Sequence, residues 1–362
     1  MKTPFTPHTL PIQNLDYGKL LPLVGKANSL LSNYNGLLSH MVNPLLLLNV
    51  ITTQEAVLSS RIEGTQASFA EVLEHDSIHF KDERKVADIE EVNNYKKALE
   101  YGVKELETRP LCLSLIRDIH SILLQGVRGT NKARGEFRRV QNYIGSYGTT
   151  IEQARFIPPS PDKMLPALNE WEKYIHNDEG EILIQLAVIH AQFEIIHPFL
   201  DDNGRVGRIL IPLFLYARKY LNQPIFYLSE YLESYRGEYY DRLLNISDKE
   251  DWQCWIEFFL RAIIKQSEMN QFRATRILEL YDKTKSKVKD SQILDLLFKK
   301  PILTAPDILK EQLVKNSVSA NRLMLKLCES EVLIKMQEGS GTRPAIYGFG
   351  ELLKLVDNRN LG

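Results

Sequence analysis

The stretch His197-Pro198-Phe199-Leu200-Asp201-Asp202-Asn203-Gly204-Arg205-Val206-Gly207-Arg208 places a base, an acidic pair, a glycine turn and two guanidinium groups within twelve positions. A histidine with an ordinary pKa of about 6.5 suits the removal of a proton from a serine, threonine or tyrosine hydroxyl at neutral pH. The Asp202-Asn203-Gly204 turn leads into a helix predicted from Arg205, so backbone N–H groups at its start converge on anionic oxygens. Arg205 and Arg208 are three apart on that helix, share a face and suit phosphate oxygens. Asp201 offers one hard oxygen ligand of the kind Mg²⁺ accepts. Each residue alone has a plainer reading, the arginines as solvated helix ends and Asp201 as a helix cap. Their combination is the chemistry of a nucleoside triphosphate site.

Helices must position these groups. The spacing of apolar residues predicts a helix over 181–196 that carries His197 out at its end, where Pro198 stops it from continuing. The helix from Arg205 to Tyr220 contains Pro212, which predicts a kink. Further upstream, an irregular arm and a short helix fill the first forty residues. Asn43 and Pro44 then cap and open a helix running to about Ile62, which Gly64 ends. Ser68 and Glu71 have capping-box spacing, and helical periodicity continues over 83–107 and 111–125. A Gly/Arg-rich loop follows Gly126, and short strand-like runs at 140–145 and 154–158 predict a β-hairpin. Such a hairpin either aligns an extended segment along its edge or merely covers the core. Helices resume over 162–174, 234–244 and 252–280.

A lysine-rich stretch from Tyr281 to Asp290 marks a helix end or linker, with a boundary at 285. Beyond it, helical patterns at 291–297, 305–313 and 318–329 precede strands at 332–337 and 345–349, the order of a winged helix-turn-helix. Ser317 is the expected cap of its recognition helix, which carries Arg322 and Lys326, with Lys335 and Arg343 on the wing. The predicted organisation is therefore mainly α: a helical region 1–107, a core 108–284 with its hairpin, and a winged-helix unit 285–362.

The 362-residue chain carries a formal charge of −1 with 25% charged residues, which excludes a globally basic nucleic-acid binder. Cys112, Cys254 and Cys328 have neither metal-site nor disulfide spacing. The N-terminus lacks an apolar signal core, and the run 44–50 is far too short to span a bilayer. A cytoplasmic protein with no membrane contact is the expectation.

The 197–208 run resembles the signature of the Fic family of protein AMP-transferases, H-P-F-x-D/E-G-N-G-R-x-x-R, and departs from it at Asp202, where glycine is usual. The resemblance implies a Fic-type helical bundle with the hairpin as its flap. It also implies transfer of AMP from Mg-ATP to a hydroxyl of a protein, with His197 as general base and Asp201 as metal ligand. Asp202, Asn203, Gly204, Arg205, Val206, Gly207 and Arg208 would then bind ATP, and Ser234 would join them from the tyrosine-rich segment downstream. Ser59-Ser60-Arg61-Ile62-Glu63-Gly64 matches the family's inhibitory pattern S/T-x-x-x-E-G/N, implying that Glu63 pairs with Arg208 and leaves ATP in an unproductive pose. Ser59 and Glu63 share a helix face. Asp202 is expected to tolerate a left-handed backbone and to point outward or toward metal-bound water, with activity retained. The rival reading is a nucleotide-sensing regulator in which Asp202 weakens catalysis and the winged helix provides the output. Implied partners are a protein substrate, the chain itself among the candidates, with DNA or a second copy as partners suited to the winged helix.

Overall fold

The computed structural model describes residues 3–75, 82–126, 133–145, 148–178, 180–341 and 343–356. The Gly/Arg-rich loop expected after Gly126 falls largely at 127–132, outside them. The N-terminal third comprises α1 (Tyr17–His40), α2 (Pro44–Leu47), α3 (Asn49–Ile62), α4 (Phe69–Glu74) and α5 (Glu83–Glu105). Next come α6 (Leu113–Leu123), α7 (Pro161–Ile175), α8 (Ile182–Ile196), α9 (Asn203–Ala217), α10 (Ser229–Ser234), α11 (Arg236–Lys249) and α12 (Trp252–Lys287). The C-terminal elements are α13 (Ser291–Lys299), β1 (Ile302–Thr304), α14 (Ala305–Lys310), α15 (Ser317–Glu329), β2 (Ile334–Gln337), β3 (Ile346–Gly348) and α16 (Gly350–Val356).

The helix at the centre is α8. It is apolar around its whole circumference, and only Ile182 and Glu194 along its length escape full burial. Glu181 starts it by accepting from the N–H groups of Leu183 and Ile184. Helices α7, α9, α11 and α12 pack around it. Two buried indoles fix its neighbours: Trp171 donates to the carbonyl of Ile189 at 2.9 Å and Trp255 to that of Ala187 at 2.8 Å. The imidazole of His190 ties three helices together. Its Nδ1 donates to the Gly207 carbonyl at 3.1 Å, and its Nε2 accepts from the Tyr239 hydroxyl at 3.0 Å. Burial holds this ring neutral, with its pKa lowered to about 3.

Local signals produced the expected ends in several places. Asn43 caps α2 with Pro44 in its first turn, and Ser68 and Glu71 form a complete capping box on α4. Gly64 takes φ +102° just past α3. Elsewhere the chain departs from expectation. The helix in the first forty residues is long, 24 residues, because Leu20, Val24, Ala27, Leu31, Tyr34 and Leu38 form a buried stripe that packs on α12. Helix α12 runs on to Lys287, so the boundary placed at 285 falls within its last turn. Pro212 lies inside α9, which stays one helix through it.

Among the described residues the expected hairpin is reduced to a single antiparallel bridge, Ile144 with Phe156. Pro158 and Pro159 have no N–H to extend a ladder, and side chains take the nearby carbonyls: Gln141 that of Pro158, Arg138 those of Val140 and Pro159. At the C-terminal end β3 is the middle strand of an antiparallel sheet ordered β1-β3-β2, with Ile302 opposite Gly348 and Lys335 opposite Tyr347. Strand β1 and helix α16 were not expected, and Asn316, not Ser317, caps α15. The order after α12 is helix, strand, two helices, two strands and a closing helix. Among the described residues no helix is long and apolar enough to cross a membrane.

Replacing Trp255 by alanine should remove both the central packing and the Ala187 hydrogen bond, lowering stability by ~3–5 kcal/mol in denaturant unfolding. A loss below ~1 kcal/mol would show that α12 does not carry α8.

Candidate functional site

The 197–208 run forms the connection between α8 and α9. His197 ends α8 in the left-handed region, φ 50°, which turns the ring away from the helix and into the wall of a cavity of about 510 Å³. The cavity is bounded by residues 143–145 and 155–156, the start of α9, Tyr239 and Tyr240 on α11, and Glu63. His197 Nδ1 lies 3.2 Å from the carbonyl of Glu194, which can only accept, so Nδ1 carries the proton and Nε2 keeps its lone pair. Desolvation lowers the ring's pKa to about 4, against a raising contribution from the Glu194 carbonyl. The imidazole is neutral at pH 7, and its Nε2 is free to accept a hydrogen bond from a group in the cavity.

The loop between His197 and α9 is held by bonds within itself and from α6. Asn203 Oδ1 accepts from the N–H of Phe199 at 2.8 Å while its Nδ2 donates to the Phe199 carbonyl at 2.9 Å. The Phe199 ring stacks on His120, centroids 3.8 Å apart. His120 Nδ1 accepts from Gly135 N–H at 3.0 Å, leaving Nε2–H to face the Asp201 carbonyl at 3.3 Å. Arg138 stitches the other side, donating to the carbonyls of His197 at 2.9 Å and Val140 at 3.2 Å, and also to that of Pro159. None of His120, Arg138 and His190 stands out in the sequence, because a lone histidine or arginine beside apolar neighbours has no periodic or spacing signature.

Arg208 is 1% exposed and fully engaged. Its Nε donates to Ser59 Oγ at 2.8 Å, and its Nη2 donates to the Ser59 carbonyl at 3.0 Å and to Glu63 Oε1 at 2.6 Å. The pairing expected of Ser59 and Glu63 is therefore present as geometry. Burial would raise the Glu63 carboxyl, but the charge and hydrogen bond of Arg208 outweigh it and hold the group below its ordinary value. The carboxylate lies over Gly204, where a Cβ would come within 2.1 Å of Oε1 and 2.9 Å of Arg208 Nη1. Glycine is required there for the contact to exist. No side chain caps α9, so the open N-terminus of that helix faces the same anion.

Asp202 and Arg205 contradict expectation. Asp202 does take the left-handed backbone, φ 60°, but its side chain turns inward and is buried. Its Oδ1 accepts from Arg205 Nε at 3.0 Å and from Nη2 of the same guanidinium. Arg205 Nη1 also lies 3.5 Å from Glu91 Oε2. Arg205 and Arg208 thus diverge, one toward Asp202 and α5, the other toward α3, and do not share a phosphate-binding face. Burial raises the Asp202 carboxyl to about 6 against the lowering effect of Arg205.

The other sequence-named residues divide similarly. Asp201 is exposed on the loop, with Oδ1 accepting from Asp202 N–H at 3.0 Å. Val206 is wholly buried in the core, and Asn203 spends its side chain on Phe199. Ser234 turns its hydroxyl back to the Glu230 carbonyl, while Tyr239, Tyr240, Leu243, Leu244 and Ser247 line the cavity from α11. No group of three or more potential metal-ligating side chains occurs among the described residues. The exposed carboxylate of Asp201, on the loop that leads from His197 into α9, nonetheless fits Mg²⁺, which takes few protein ligands when phosphates supply the rest.

Fold and site together define a mainly helical protein with a histidine-ended helix, a glycine-bearing loop leading into the next helix, and the end of α3 across that loop. The chain belongs to the Fic family: residues 21–104 match the Fic/DOC family N-terminal model and residues 110–215 the Fic/DOC family model. A probable protein adenylyltransferase of Aquifex aeolicus is 30% identical over 195 residues, 52% of this chain and 55% of that one. The protein adenylyltransferase Fic of Aedes aegypti is 28% identical over 127 residues, 34% of this chain and 22% of that one. The chain thus spans about half the length of the first relative and under a quarter of the second. A Fic family protein from Desulfovibrio desulfuricans G20 shares the fold with a TM-score of 0.60 at 18% identity, covering 96% of this chain and 98% of its own. Fic-1 from C. elegans gives 0.55 at 18% identity, with 72% of each chain covered.

An NMR titration of the His197 ring should find its midpoint near pH 4, so the imidazole is neutral throughout the range from about 5.5 upward. A midpoint at about 6.5 would mean the ring is solvated and not set into the cavity wall.

Proposed function

We propose that this protein transfers AMP from ATP to a hydroxyl of a protein and that the Glu63–Arg208 pair restrains the reaction. The observation that carries this reading is the neutral His197, with Nδ1 committed to a carbonyl, in one cavity with an arginine held by a displaceable carboxylate. His197 Nε2 takes the proton of the attacking hydroxyl as its oxygen bonds to the α-phosphorus, and the bond to the bridging oxygen breaks to release pyrophosphate. The open N-terminus of α9 and Arg208 stabilise charge on the phosphate chain, and positioning supplies most of the remaining acceleration. Mg²⁺, held by Asp201 and the phosphates, would neutralise part of that charge. The bridge between Ile144 and Phe156, with Tyr143 and Ile144 exposed beside it, is suited to align the target, and the chain itself is the first target to try.

While Glu63 sits on Arg208, a terminal phosphate cannot. Replacing Glu63 with glycine should raise AMP incorporation by roughly 10- to 100-fold. His197→Ala should lower transfer by about 10²- to 10⁴-fold in either background. ATP labelled separately at the α and γ positions is the measurement: label from the α position alone reports AMP transfer. Label from the γ position would mean phosphate transfer, and equal incorporation with and without Glu63 would remove the restraint.

One observation favours a second reading, a nucleotide-sensing regulator with weak catalysis. Asp202 holds Arg205 inside the loop, so both motif arginines are neutralised by carboxylates of the chain. The elements after α12 follow winged-helix order and would provide the output to DNA or to a second copy. Asp202→Gly in the Glu63→Gly background discriminates. A rise in transfer of about tenfold or more would show that Asp202 suppresses catalysis, and an unchanged rate would place Arg205 outside the reaction.

A further inference from the structure

Glu194 lines the same cavity but takes no part through its side chain in the transfer step above. It lies one helical turn before His197 on α8, and its Oε1 is buried without a hydrogen-bond partner. Gly207 makes room for it, since a Cβ there would come within 2.3 Å of Oε1. The second glycine of the loop-helix run thus serves this carboxyl as Gly204 serves Glu63.

The groups facing Glu194 are few. Arg208 comes from α9, Glu63 from the end of α3, and the phenols of Tyr239 and Tyr240 from α11. Burial raises the carboxyl to about 8, with Arg208 lowering and Glu63 raising it, so it is protonated at pH 7. One guanidinium stands between two carboxyls. Glu63 already neutralises it, and a second buried carboxylate would be uncompensated. A protonated carboxyl is a hydrogen-bond donor, and a buried donor needs an acceptor. The group able to bring acceptor oxygens to Arg208 is the phosphate that displaces Glu63.

We propose that Glu194 is a phosphate-positioning residue whose neutral carboxyl donates a hydrogen bond to the terminal phosphate taken up by Arg208. This rests on the nucleotide reading of the cavity. A phosphate, being anionic like Glu63, keeps the proton on Glu194. The donor is therefore present below the raised pKa and lost as pH rises through it, when the ionised carboxylate also repels the phosphate.

The test is calorimetric titration of the full chain bearing Glu63→Gly with Mg²⁺ and α,β-methylene ATP, from about pH 6.5 to about pH 9. Affinity should fall as pH rises through the pKa of the Glu194 carboxyl, which burial still raises but which loses the raising contribution of Glu63 in this background. Adding Glu194→Gln, which keeps a donor that does not titrate, should retain affinity at neutral pH and abolish the fall. Adding Glu194→Ala should weaken binding at neutral pH by about tenfold. AMP, which lacks the terminal phosphate, should bind all three proteins alike and so report an intact cavity. Equal affinities of the alanine and glutamine variants for the triphosphate, or a fall that persists with glutamine, would overturn the proposal. If the Glu63→Gly protein bound neither nucleotide, the nucleotide reading itself would fall and this inference with it.

Discussion

Everything at this site follows from the burial of one cation. Arg208 is taken almost wholly out of water, and a guanidinium in that position must be met by hydrogen-bond acceptors and a counter-charge. Ser59, in the last turn of α3, supplies two acceptors, and Glu63, its C-cap, supplies the charge. That demand dictates the small residues around it: Gly204 leaves space for the Glu63 carboxylate and Gly207 for Glu194. On the activity proposed above, one contact would thereby serve structure and restraint together.

What could be read in the sequence follows the same physics. Groups whose chemistry depends on spacing along a single element were legible: Ser59 with Glu63 on α3, His197 at the end of α8, the Ser68–Glu71 capping box, the left-handed backbone of Asp202. Groups whose role depends on what crosses from another element were not. Arg205 and Arg208 look equivalent by spacing, but Arg205 turns to Asp202 three residues away and to Glu91 on α5, while the position of α3 turns Arg208 to Ser59 and Glu63. His120, Arg138 and His190 hold the loop through backbone carbonyls, which carry no side-chain identity to detect. The strand pairing near 144–156 was over-read because alternation signals a strand while the carbonyl competition from Arg138 and Gln141 is invisible along the chain.

Helix α3 is anchored far more firmly at its start and middle than at its end. Glu55 is buried, accepting from Tyr95 at 2.9 Å and from the N–H of Ser229 at 3.2 Å, and its side chain also bonds the Ser229 hydroxyl. Asn49 donates to the Lys299 carbonyl at 2.8 Å, and α13 and α16 pack directly on the helix. The C-terminal elements are therefore part of the wall that holds α3 in place. A change in their packing would reach α3 through Ile51, Gln54 and Leu58, which meet Val356 around a small polar void.

Release of Arg208 nonetheless does not require α3 to leave. Glu63 is the C-cap, past the last helical residue and 31% exposed on its side chain, and it is followed by the left-handed Gly64. Its position depends on the last turn, where the N–H groups of Glu63, Gly64 and Thr65 bond the carbonyls of Ser60 and Arg61. Arg236 pins the same turn through the Ile62 carbonyl at 2.6 Å. Opening those few bonds withdraws the carboxylate while Ser59, one turn earlier and fully buried, stays on Arg208. Helix ends open locally at far lower free energy than whole elements. On the activity proposed above, the arginine would then keep both Ser59 acceptors while its counter-charge is withdrawn, the condition for an incoming anion to take that place.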